Sequence, residues 1–147
     1  MKDNYELIEY VHKDANMGVY TIEKVLETLK ERDNKITGLL EETLEEYRDF
    51  VQSSRRKLEE NNIKPDEESF LSKMWSNMEI TKEIKKDNSD ASIADIMIKG
   101  ISSGHIEIEK RLIVEKEEDD ALDEHKKIAK KYEKFQKKTM EKFKKYL

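Results

Sequence analysis

Cysteine is absent from the 147 residues. That excludes a disulfide framework, a thiolate metal site and a nucleophilic thiol, and it fits a reducing compartment. Proline occurs once and glycine four times, too little turn chemistry for a β-sandwich or a doubly wound sheet, whose short elements need frequent breakers. Long hydrophobic runs are missing as well. The most apolar stretch, Ile93 to Ile101, is interrupted by Asp95 and Lys99 and falls far short of the roughly 20 residues that span a bilayer. The opening Met1-Lys2-Asp3-Asn4 lacks the basic-then-apolar layout of a secretory signal. No Gly-rich phosphate loop is present, and three scattered histidines support no Ser/His/Asp arrangement. The expectation is a cytoplasmic chain with no integral membrane segment, and the lack of catalytic motifs points away from an enzyme.

What the chain does have is charge. Charged residues make up 43% of it and hydrophobic ones 35%, yet 29 basic and 34 acidic side chains nearly cancel. Because the apolar residues are also periodic, the composition indicates long amphipathic helices with solvated outer faces rather than disorder. The length suits one domain, residues 1–147, with a single core.

Ile8, Val11, Ala15, Gly18, Ile22, Val25 and Leu29 alternate spacings of three and four, the seam of one packed helix face. This predicts a first helix over about 4–32, then a tight turn in which Asp33 or Asn34 caps the next helix. The seam resumes at Ile36, Leu40, Thr43, Tyr47, Phe50, Ser54 and Leu58, predicting a second helix over about 35–60. Pro65, which lacks an amide donor and disfavours helical geometry before it, is the expected terminator. A shorter helix is expected over about 67–85, with Met74, Trp75 and Met78 forming an apolar stripe that packs on the chain's own helices or faces a partner. Ser89 or Asp90 can cap a third long helix bearing Ile93, Met97, Ile101, Gly104, Ile108 and Leu112. The charged run Glu115 to Asp120 predicts a turn before a fourth helix carrying Ala121, His125, Ile128, Tyr132, Phe135, Thr139 and Phe143; because the run contains neither Gly nor Pro, the alternative is one continuous helix through both segments. Two closely linked helix pairs joined by residues 61–90, a stretch able to carry the chain back along a helix of about 40 Å, make an up-down bundle with a crossover.

This layout resembles the ferritin-like superfamily. More specifically, Asn62-Ile63-Lys64-Pro65-Asp66 through Ser69, then Lys73-Met74-Trp75 and the break Asp87-Asn88-Ser89-Asp90, resemble a family of uncharacterised bacterial ferritin-like four-helix bundles, a domain of unknown function. The resemblance implies an all-α, ferritin-like up-down four-helix bundle with a helical crossover between the second and third long helices. Within Ser102-Ser103-Gly104-His105-Ile106-Glu107 the chain departs from that pattern, with His105 where an acidic residue is expected after the glycine.

A carboxylate-bridged metal centre in such a bundle needs a Glu from each of two helices and a Glu-x-x-His pair from each of the other two. One such pair is present, Glu9 with His12, where two are required; Ser102 and Leu122 stand three before His105 and His125. His12 lies beside the seam residue Val11, which predicts a surface or flanking position. His125 falls on the seam of the fourth helix, as a hydrogen-bonded core histidine would, and Asp14, Glu46 and Glu107 flank the seams of the first three. Glu9, His12, Asp14, Glu46, Glu107 and His125 are therefore the candidate ligands if iron or manganese binds. Tyr10, Tyr20, Tyr47 and Tyr132 read as core or interface aromatics.

Residues 126–147 carry ten Lys against Glu133 and Glu141, leaving about -13 on the rest of the chain. A basic amphipathic helix can bind nucleic acid or anionic membrane. Here, however, acids open the helix and lysines close it, the order its macrodipole favours, and Glu41-Glu42 and Glu45-Glu46 are available to neutralise it. The leading expectation is a cofactor-free, non-enzymatic bundle serving as a structural or protein-interaction module, as a homodimer or with another protein partner. The alternative is a metal-binding ferritin-like oxidoreductase with a non-standard carboxylate/His site.

Overall fold

The seams become helices. The computed structural model describes residues 4–65 and 79–147, and these form α1 (Glu6–Thr28), α2 (Thr37–Glu60), α3 (Asp90–Glu118) and α4 (Asp123–Lys144), with a further helical stretch at 79–86. Most of the expected 67–85 helix, including Met74, Trp75 and Met78, lies outside the described residues. None of the described helices is long and apolar enough to cross a membrane.

Hydrogen bonds at the helix ends set the directions. At one end Asn34, in the α1–α2 turn, donates through Nδ2 to Asn88 O and to Asp90 Oδ1 at the start of α3, both at 2.9 Å. At the other end the Asn4 amide donates to Asp120 O in the α3–α4 turn at 2.8 Å, and Lys57 near the end of α2 pairs with Glu124 at the start of α4 at 3.0 Å. So α1 and α4 run one way, α2 and α3 the other. The α1–α2 and α3–α4 hairpins each pack along their length, α4 also touches α1 and α2, and α1 touches α3. The end of α2 and the start of α3 therefore lie at opposite ends of the molecule.

One apolar core runs through all four helices, with Val11, Ile22, Leu40, Tyr47, Ile93, Ile108, Tyr132 and Phe143 among its buried members. Each large side chain buried there contributes about 1.5–3 kcal/mol. Two glycines set how closely helices approach. A Cβ on Gly18 would sit 2.5 Å from the Tyr47 ring, and one on Gly104 would sit 2.6 Å from an Asp14 carboxylate oxygen.

The breaks differ in detail from the sequence expectation. α1 stops at Thr28 rather than near 32, with Leu29 and Ile36, on either side of the turn, both buried. Neither Asp33 nor Asn34 caps α2; its N-cap is Ile36, with no side-chain cap bond, and the Lys35 and Ile36 amides donate instead to the Asp90 carboxylate of α3 at 3.2 and 3.5 Å. α2 ends before Pro65 is reached. Asn62 takes the left-handed conformation (φ 58), its amide reaches Glu59 O at 3.0 Å and the Ile63 amide reaches Leu58 O at 2.9 Å, the paired bonds of a Schellman stop. Ser89 caps α3 as expected, accepting from the Ser92 amide at 3.2 Å. The α3–α4 turn forms without Gly or Pro: Asp119 adopts φ 46, a conformation Asp tolerates better than most residues, and buried Glu115 accepts the Ala121 amide at 3.0 Å.

Candidate functional site

The polar heart of the molecule is built around Asp14, midway along α1. The gap left by Gly104 on α3 gives its carboxylate room. Tyr132 Oη donates to Asp14 Oδ2 at 2.5 Å, and Gln136 Nε2, one turn further along α4, donates to the same oxygen at 3.4 Å. Gln136 Oε1 lies 3.2 Å from His105 Nδ1, and His105 Nε2 lies 2.7 Å from Glu109 Oε1. A continuous chain of polar groups thus runs from a half-exposed glutamate on α3 to a carboxylate among the helices. Tyr10 Oη donates to Gly104 O at 3.4 Å, closing the inner flank.

Burial dominates the electrostatics of this cluster. The Asp14 carboxyl is raised above its ordinary value because desolvation penalises the charged form more than bonds from Tyr132, Gln136 and Tyr10 favour it. Tyr10, Tyr47 and Tyr132 are all raised, first by burial and then by the Asp14 charge. Their phenols therefore stay protonated, as a donor to Asp14 must. Tyr47 packs edge-on to Tyr132 and Phe135, with ring centroids 6.3 and 4.8 Å apart, as expected for core aromatics.

The six candidate ligands go to four places. Asp14 occupies the centre. Glu9, His12 and Glu107 line a pocket of about 410 Å³ with Tyr10, Lys13 and Arg111; there Arg111 Nε donates to Glu107 at 3.1 Å while its guanidinium lies 4.6 Å above the Tyr10 ring. His12 is a correction to the sequence reading: it is 3% exposed rather than at the surface. α1 touches three other helices, so more of its circumference is covered than a narrow seam implies, and Leu58 and Pro65 border the same pocket. Glu46 faces α4, where its carboxyl is raised mainly by burial against the counter-effect of Lys142. His125 is fully buried at the end of the molecule, its ring 5.9 Å from Tyr5.

Among the described residues, the group of three acids or imidazoles close enough to hold one ion is Glu115, Glu118 and Asp120, none of them a candidate from the sequence. Reading the sequence noted His105 only for standing where an acidic residue was expected, not as a site residue, and missed Gln136 and Glu109. Gln136 follows Tyr132 by four, so the two share a face of α4, and that spacing was the available signal.

A second feature lies where α4 meets α2, next to Tyr132, whose ring centroid is 4.9 Å from that of Phe50. Between α2 and α4 runs a groove of about 440 Å³ with Phe50 and Phe135 at its floor. Glu46, Asp49 and Ser53 form one wall; Lys131, Lys134, Lys138 and Lys142 form the other. Lys142 Nζ also reaches Glu42 Oε1 at 2.7 Å, part of the neutralisation expected from the acidic run of α2. In comparisons with known proteins, no family model matches the chain, and no curated protein or solved structure matches it.

Proposed function

We propose that this chain is a non-enzymatic, ferritin-like up-down four-helix bundle, crossing over between α2 and α3, that serves as a structural or protein-interaction module. The observation that carries this reading is the dispersal of the candidate ligands: Glu9, His12 and Glu107 share one pocket, while Asp14, Glu46 and His125 each lie elsewhere. A carboxylate-bridged di-metal site needs its acids and imidazoles convergent on one point between the helices. At that level this chain instead has Asp14, engaged by a phenol and a carboxamide, donors suited to satisfying a buried acid. The donor set therefore does not fit a di-iron or di-manganese group. The helix directions, with α1 and α4 opposed to α2 and α3 and with the end of α2 and the start of α3 at opposite ends of the molecule, support the ferritin-like arrangement.

The test is elemental analysis for iron, manganese and zinc on tag-free protein purified without chelators, beside Asp14→Asn and His125→Ala variants. The expected result is metal well below one per chain in all three. Near-stoichiometric metal that falls in either variant would overturn the reading in favour of a metal-binding oxidoreductase.

A further inference from the structure

We propose that the α2–α4 groove is the contact face of a two-fold homodimer, in which the lysine wall of each copy lies against the acidic wall of the other. This rests on the reading of the chain as an interaction module and names its partner as a second copy.

The walls differ in sign along their length. Glu46 and Asp49 stand on α2, and Lys131, Lys134, Lys138 and Lys142 on α4, with Phe50 and Phe135 between them. In a two-fold contact the same patch serves both partners, so it must complement itself. Two axes could place this groove face to face with its copy. An axis across the groove returns each wall onto itself, setting acid against acid and lysine against lysine. An axis along the groove exchanges the walls, so each α4 lysine row meets the partner's α2 acids and the Phe50 and Phe135 floors face each other. Only the second arrangement is attractive, and it also fixes the register: an axis along the groove adds no shift, so each lysine faces partner acids at its own height.

Within one copy the lysines outnumber the acids of the groove, and Glu46 sits where burial disfavours its charge. The exchanged arrangement supplies a second set of cations to each acidic wall. Ile106, Ile113 and Val114 on α3 are exposed as well, with Glu107, Lys110, Arg111 and Glu118 beside Val114, so that face is the competing contact the experiment must separate.

The experiment is sedimentation equilibrium on the full chain at about 0.1 M and about 1 M salt, where the screening length falls from about 10 Å to about 3 Å. Expected is a dimer at low salt that weakens at least about tenfold at high salt, as exposed ion pairs do. Lys134→Glu/Lys138→Glu alone and Glu46→Lys/Asp49→Lys alone should each be monomeric with unchanged helical circular dichroism. Mixing them should restore a one-to-one dimer. Lys110→Glu/Lys116→Glu, the same charge change on α3, should leave the dimer intact.

A wild-type chain that stays monomeric at low salt would overturn the proposal, as would a dimer that survives both reversals in the groove. So would a dimer lost on Ile106→Glu/Ile113→Glu with the groove variants unaffected, which would assign the contact to α3. These outcomes concern association alone; the metal measurement above fails or succeeds independently of them.

Discussion

Two glycines on α3, one turn apart, should respond to alanine with opposite signs. At Gly100 a new Cβ meets nothing within 4 Å, so the substitution only reduces the backbone freedom lost on folding and should stabilise by about 0.5–1 kcal/mol. At Gly104 the same backbone gain meets a Cβ position 2.6 and 2.7 Å from the two Asp14 carboxylate oxygens and 2.9 Å from its Cγ. Asp14 has a short side chain held by Tyr132 and Gln136, so it cannot yield without loosening those bonds. Overpacking of this kind costs about 1–3 kcal/mol, and weakening a buried acceptor's bonds costs about 1–3 kcal/mol more. The net expectation is destabilisation by about 1–5.5 kcal/mol. For a chain of this length each kcal/mol moves the melting temperature by about 2–4 °C. Urea unfolding followed by helical circular dichroism reads both variants directly. In an Asp14→Ala background the Gly104→Ala penalty should largely vanish, a coupling that a double-mutant cycle isolates. Equal effects at Gly100 and Gly104, or a Gly104→Ala protein more stable than wild type, would refute the close approach of α1 and α3 at Asp14.

Two further substitutions test how the helix ends are held. Asn34→Ala removes both bonds that tie the α1–α2 turn to the start of α3, one of them to the Asp90 carboxylate, and should cost about 1–2 kcal/mol; the urea midpoint should fall with its slope unchanged. Ser89→Ala deletes the hydroxyl that caps α3 by accepting from the Ser92 amide and should cost about 0.5–2 kcal/mol, measurable by the same titration.

The helices were legible in the sequence because their seams are strict. Ile22, Val25, Ile36, Leu40, Ile93, Ile108, Tyr132 and Phe143 fall on predicted seam positions and are buried. Charge pointed to a break between Glu115 and Asp120, but α3 runs on to Glu118 and the turn falls at 119–122; its means were not legible, for it needs a left-handed Asp119 and a glutamate that folds back onto the Ala121 amide. Capping was misassigned at Asn34 because periodicity along one helix says nothing of what a distant segment offers: the Asp90 carboxylate accepts the Lys35 and Ile36 amides. Asp14 was visible as a candidate, but its partners come from α3 and α4, and Gly104 matters through space that a linear pattern does not display. The groove was hidden for a similar reason. Ten lysines near the end of the chain mark a basic helix, but which four form a wall depends on where α2 lies.

The most direct test concerns Asp14 itself, as a desolvated structural carboxylate rather than a ligand. Its carboxyl is raised in the folded protein, first by burial, so the native state holds its proton more tightly than the unfolded chain does. Between the unfolded and folded values wild type therefore loses stability as pH rises, and above the folded value the full cost of the buried charge is present. Asp14→Asn keeps the shape without that charge. Unfolding free energies of the two proteins from about pH 4 to about pH 8 should show the variant gaining on wild type as pH climbs, then a constant advantage. A variant that instead loses ground steadily with rising pH would contradict this, because that is the behaviour of a carboxylate held charged by a bound cation.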